Sequence, residues 1–277
     1  MLAYFCMLTS INIKNIYTKR RINMSYLKFI SDDDLLKCIA KLHSVYEQCQ
    51  KTFTTEDFYK NKVDPIKFQF DMAFNKINGS DYIKAEIARQ VDKTISNAIG
   101  EFHQTLLGCI NGLNDLGVGN GCDLSNDSKT IFAELKNKHN TMNSSSSEAT
   151  MQKLIHFAEQ YPKANCYLIQ IIAKKSHNEL WEGYFNGRYY SHPRVRKISA
   201  DKFYELVTGD PEAFYKLCRV LPQATEDYIN SATSTGKITK NQSTVYAELQ
   251  TRAHTNGKTL IEQIMVDNFT TYQGFDK

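Results

Sequence analysis

The run Cys166-Tyr-Leu-Ile-Gln-Ile-Ile-Ala173 limits the fold of this chain more than any other stretch. Its β-branched density and its length of eight residues favour a strand, and a strand this apolar along its whole length is buried at the centre of a sheet. A central strand needs helices to cover it, and the chain supplies them. Residues 32–50 and 80–110 have helical periodicity, the second with Ala88, Val91, Ile95, Ala98, Ile99, Phe102 and Leu106 on one apolar stripe. The Ser-rich run 143–147 suggests a flexible loop, followed by a helix over about 148–161 just ahead of the strand. The order helix, hairpin, helix, strand predicts an α/β fold with a mixed central sheet flanked by helices.

The hairpin lies at 121–138. From Thr130 to Lys136 the apolar Ile131, Ala133 and Leu135 alternate with Phe132, Glu134 and Lys136, the period of a strand with one apolar face. Gly121 to Ser125 supplies a partner strand, and Asn126-Asp127-Ser128-Lys129 a polar connection. With that loop Ser125 pairs with Thr130 and Asp123 with Phe132. Asp123 then shares a face with Glu134, diagonally across from it at roughly 7–8 Å.

Two carboxylates and a lysine in this order suit metal-dependent cleavage of a phosphodiester. A hard ion such as Mg²⁺ takes oxygen ligands and keeps several waters, so Asp123 and Glu134 with water and phosphate are sufficient. Lys136 is placed to orient or deprotonate the attacking water and to offset charge on the phosphate. On the helix over 80–110, Asn97, Glu101 and Gln104 form a polar stripe that can turn toward the same site, with Glu101 as a further ligand. Taken alone, a Glu-x-Lys pair on an exposed strand is also an ordinary solvated pattern.

Charge narrows the reading. The chain has 34 basic and 30 acidic residues, but Lys14, Lys19, Arg20 and Arg21 stand in the first 23 residues with no acid among them. Met1 to Leu8 is short for a signal sequence and for a membrane span, whereas Met24 opens a well-patterned region with Ser31 as a helix cap. We expect residues 1–23 to be an extension ahead of a start at Met24, and 24–277 to form a single domain with helical embellishments at both ends. Without the extension the counts are 30 and 30, so nucleic-acid binding needs local clusters. One lies between Lys174 and Lys202, around Trp181–Lys197, which suggests a hairpin turning at Asn186-Gly187. Arg194 and Arg196, with Arg188 and Lys197 behind them, are its candidate DNA contacts. Seven cysteines, at 6, 38, 49, 109, 122, 166 and 218, form no Cys-x-x-Cys pair and suit a reducing cytoplasm. Downstream, Thr208-Gly-Asp-Pro211 breaks the segment 203–221 into two helices, and a last amphipathic helix is expected over about Lys258 to Tyr272.

The run Gly121-Cys-Asp-Leu followed by Ala133-Glu-Leu-Lys-Asn-Lys-His-Asn-Thr141 resembles the active-site segment of type II restriction endonucleases of the PD-(D/E)XK superfamily, in particular those that cut GGNCC-type sites. Asn97–Gln104 and Asp201–Leu217 resemble further blocks of that group, so the similarity spans about residues 60 to 225. The chain departs from the pattern where Cys122 stands in place of a proline before the aspartate. The resemblance implies a PD-(D/E)XK restriction-endonuclease-like fold, with Asp123, Glu134 and Lys136 as the catalytic set and Mg²⁺ on the carboxylates. It also implies a homodimer on palindromic double-stranded DNA, with a methyltransferase as genetic partner. Lys138, Asn140 and Thr141, which follow the catalytic strand in the resembling string, join the arginines as DNA contacts. Two other readings share some of these residues: a repair or junction-resolving nuclease with the same metal site, and a DNA-binding protein without catalysis.

Overall fold

The structure, a computed structural model, describes residues 25–51, 64–117, 119, 121–231, 251–259, 262–263, 266 and 269–275. At its centre is a six-stranded mixed sheet in the order β1-β2-β3-β4-β8-β5. The strands are β1 (Leu113–Asp115), β2 (Leu124–Asn126), β3 (Ile131–Lys138), β4 (Asn165–Ile172), β5 (Asn178–Leu180) and β8 (Val195–Ser199). A separate hairpin pairs β6 (Gly183–Phe185) with β7 (Arg188–Tyr190). β3, β4 and β8 run parallel to one another, while β1, β2 and β5 add antiparallel pairings at the two sides.

β4 is the buried central strand that its composition calls for. Tyr167, Ile169 and Ile171 face one layer, with helices α1 (Asp32–Lys51), α3 (Gly79–Gly108), α5 (Ala200–Thr208) and α6 (Ala213–Ser231). Cys166 and Leu168 face the other, where Met151, Leu154 and Ala158 of α4 (Ser144–Gln160) pack with Phe132, Trp181 and Val195. A further helix, α2 (Pro65–Asn75), precedes α3. Helix starts follow local chemistry. Three aspartates occupy the first turn of α1, at the positive end of its dipole, and the Asp34 N–H donates to Ser31 Oγ at 3.1 Å. Gly209 ends α5 in the left-handed region at φ 72°, as the Thr208-Gly-Asp-Pro break requires.

Several expectations are corrected. The hairpin register is shifted by two residues: Ser125 pairs with Phe132 and Leu124 with Ala133, and the loop begins at Asp127, with Lys129 turning at φ 53°. Asn126 causes the shift, because its side-chain oxygen accepts from the N–H groups of Thr130 and Ile131 and draws it into the strand end. Ser144–Ser147 is not a loop but the first turn of α4, with Asn143 accepting the Ser146 N–H at 2.9 Å. The basic segment 181–197 is not one hairpin. The turn falls at Asn186-Gly187, but Arg196 and Lys197 belong to β8 in the main sheet. Of the expected last helix, Leu260, Ile261, Ile264 and Met265 lie outside the described residues, as do residues 1–24. Phe269, Tyr272 and Phe275 follow in turns and are buried against Phe214.

Candidate active site

β3 turns Glu134 toward the α4 layer because Phe132, two positions earlier, packs into that layer while Ala133 and Leu135 pack against α3. The observed register pairs Leu124 with Ala133, and Asp123, the residue before β2, is bonded to the Ala133–Leu135 stretch of β3 rather than paired with Phe132. Three hydrogen bonds clamp Asp123. Its N–H donates to the Ala133 carbonyl at 3.1 Å, its carbonyl accepts from the Leu116 N–H at 3.0 Å, and its Oδ2 accepts from the Leu135 N–H at 2.7 Å. Among the described residues Oδ1 takes no hydrogen bond. The chain reaches this position through Gly121, at φ 89°, where a Cβ would stand 2.8 Å from the Phe157 ring.

Glu134 is 4% exposed, so its carboxylate requires compensation. Lys153 of α4 supplies it, with Nζ 2.8 Å from Oε1, while Lys136 Nζ lies 3.7 Å from Oε2. Each acid therefore has one oxygen held by a hydrogen bond, and the second oxygen of Glu134 faces Lys136. Both carboxylates act on the same sulfur: burial pushes the Cys122 thiol up to about 11, and the charges of Glu134 and Asp123 add to the rise. Cys122, which precedes Asp123 in the chain, is thus a buried thiol beside both acids.

Asp123 and Lys136 open onto a cleft of about 760 Å³. Asn97, Gly100, Glu101 and Gln104 line it from α3, so the polar stripe does turn to this site, and Asn137, Lys138 and Thr141 line it from the end of β3. Glu101 pairs with Lys41 at 2.7 Å, an exposed contact that solvent screens and that leaves the carboxylate free to re-aim. Asp115, at the end of β1, is held by the Gln104 amide at 2.7 Å and the Gly117 N–H at 2.9 Å. Among the described residues no three His, Cys, Asp or Glu side chains gather as a metal cage. What is present is two oriented carboxylates beside lysines, Asp123 in the wall of the cleft and Glu134 buried against Lys153.

The family model of the Eco47II restriction endonuclease matches residues 27–230, which include every element from α1 to α6. The chain belongs to the Eco47II restriction endonuclease family. The type II restriction enzyme Sau96I of Staphylococcus aureus is 40% identical over 254 residues, covering 88% of this chain and 95% of that enzyme. The type II restriction enzyme Eco47II of Escherichia coli is 34% identical over 216 residues, 73% of this chain and 88% of that enzyme. As a member of this family the protein is a site-specific, DNA-cleaving hydrolase of the type II restriction class. Its mixed sheet flanked by helices is a restriction-endonuclease-like fold. None of the helices among its described residues is long and apolar enough to cross a membrane.

Within this family member the sequence-derived DNA contacts are scattered. Lys138 and Thr141 line the cleft, and Asn140 is exposed beside them. Arg194 is committed to the fold, with Nη1 donating to the carbonyls of Tyr161 and Ala164 at 2.9 Å each. Arg196 bonds the side chain and carbonyl of Asn178, and Lys197 pairs with Glu179 at 3.1 Å. Arg188 alone of the four is on the exposed β6–β7 hairpin, which docks on α4 through Asn186 and Tyr190, both bonded to Glu148. Among the described residues, the group bonded to Glu134 that sequence reasoning missed is Lys153. Its signal was available only as a lysine next to the apolar stripe Met151, Leu154 and Ala158, on a helix packed against β3.

Proposed function

We propose that Asp123, Glu134 and Lys136 form the phosphodiester-cleaving centre of this restriction endonuclease, with Mg²⁺ as its cofactor. The observation that supports this is the two acids flanking Cys122, with Asp123 held through Oδ2 by the Leu135 N–H and Glu134 through Oε1 by Lys153. The donor set fits the ion: hard, anionic oxygens, preset in direction, with room in the cleft for water and a phosphate. Asp123 and Glu134 would hold it, and Glu101 stands across the cleft as a further donor. Bound there, Mg²⁺ supplies Lewis-acid polarisation of the phosphate and a lowered pKa for water. Lys136, 30% exposed and only loosely paired with Glu134, orients the attacking water and offsets the charge that grows on the phosphate. Lys138, Asn140 and Thr141 bind the backbone of the duplex at the mouth, and Arg188 contacts it from the hairpin.

The substrate is double-stranded DNA carrying a short palindrome of the GGNCC type, cut by a homodimer whose two-fold axis mirrors that of the site. Each subunit cleaves one strand. The enzyme works in the cytoplasm beside a methyltransferase that protects the host's own sites. Digestion of DNA of known sequence with Mg²⁺, followed by sequencing of the ends, tests the reading. Discrete fragments with ends at GGNCC-type sites are expected. Unspecific degradation, or cutting at branched structures alone, would replace it with a repair or junction-resolving nuclease.

A further inference from the structure

Lys153 differs from the other charged residues on the surface of α4. Its side chain is 41% exposed, but the carboxylate it meets, 2.8 Å away, is 5% exposed. An ion pair between two solvated groups is screened and contributes little, whereas removing the cation from a buried carboxylate leaves a charge without compensation. The lysine is also well anchored. Met151 and Leu154, on either side of it in sequence, have no exposed surface, so the backbone at 153 is fixed against the sheet.

We propose that Lys153 is a positioning residue for Glu134, holding Oε1 so that Oε2 faces the metal position; this rests on the reading of Glu134 as a metal ligand. Asp123 shows the same arrangement with a different donor, the Leu135 N–H on Oδ2. The two lysines near Glu134 thereby divide the work. Lys153 is within hydrogen-bond distance and orients the acid, while Lys136, at 3.7 Å, is free to act on water and phosphate. Groups that orient a ligating carboxylate in this way typically change metal affinity by about 10–100-fold when removed.

The test compares Lys153→Met and Lys153→Arg in the full chain. Mn²⁺ binding without DNA is measured by calorimetry, and the Mg²⁺ dependence of plasmid cleavage is measured beside it. Lys153→Met should bind Mn²⁺ about 10–100-fold more weakly and need correspondingly more Mg²⁺ for half-maximal cleavage, with the rate recovering at saturating Mg²⁺. Lys153→Arg should restore most of the affinity. Wild-type or tighter Mn²⁺ binding by Lys153→Met overturns the inference, because the ammonium is then a spectator or a competitor for the metal position. Should Lys153→Met fail to fold, Lys153→Gln decides by the same measurements, with weakened Mn²⁺ binding expected and wild-type binding fatal. Glu134→Gln separates the two layers of the argument. If it binds Mn²⁺ and cuts as the wild type does, the reading of the site itself fails. If it loses both while Lys153→Met loses neither, only the role of Lys153 fails.

Discussion

Protonating a buried ring nitrogen that lacks a hydrogen-bond partner is costly, and among the described residues His103 on α3 carries such an atom in Nδ1. Burial lowers its pKa from 6.5 to about 4. The sign of the consequence follows from proton counting. Between these values the unfolded chain binds a proton that the folded protein refuses, so stability is complete above pH 6.5 and falls as the pH drops toward 4. The loss amounts to at most about 3 kcal/mol. Urea unfolding at pH 5 and pH 7.5 should show it, and His103→Leu should flatten the difference. An unchanged pH slope in that variant would place the acid sensitivity elsewhere. Residues such as this one are hard to find in a sequence, because His103 follows Phe102 on an amphipathic helix and nothing local says that Nδ1 ends without a partner.

At the scale of elements, legibility followed the range of the interactions that decide each one. β4, α1 and α3 are set by composition and periodicity within their own span, and all three were legible. So was the alternation in β3 that puts Glu134 and Lys136 on one face. The β2–β3 register was not, because Asn126 closes the turn with two side-chain bonds that the polarity of the loop does not reveal. The shift is an even number of residues, so Leu124 and Ala133 still share a face, while Asp123 is placed by its own bonds to Ala133 and Leu135. The basic cluster was misplaced because pairing partners, not local pattern, assign 195–199 to the main sheet. Ser144–Ser147 looked like a loop because serine is a weak helix former, yet Asn143 caps the turn and the buried residues Met151 and Leu154 hold the helix that follows. Asn143→Ala should lower the unfolding free energy by about 1 kcal/mol, measured in urea. Since α4 carries Lys153, the same variant should raise the Mg²⁺ requirement less than Lys153→Met does.

Electrostatics of the whole cleft decide how DNA enters. Lys41, Lys136 and Lys138 line it, and so do Glu101, Asp115 and Asp123, so its formal charges cancel. The molecule as a whole offers little more, at +4 for all 277 residues. A duplex brought to such a cleft meets carboxylates aimed at its phosphates unless a cation lies between them, which makes metal-free affinity low. Removing one carboxylate should therefore raise metal-free affinity while destroying catalysis. Asp123→Asn keeps an oxygen for the Leu135 N–H and removes one negative charge from the cleft wall. In EDTA at low salt it should bind a duplex carrying the site roughly fivefold more tightly than the wild type, the effect of about 1 kcal/mol of relieved repulsion. With Mg²⁺ it should not cut. Fluorescence anisotropy over a salt series provides the check: both proteins should lose affinity as salt rises, because lysine–phosphate contacts release counterions, and the gap between them should close as repulsion is screened. Equal affinity of the two proteins at every salt concentration would mean that Asp123 does not face the bound backbone, and the duplex would then have to approach the acid pair from the α4 side.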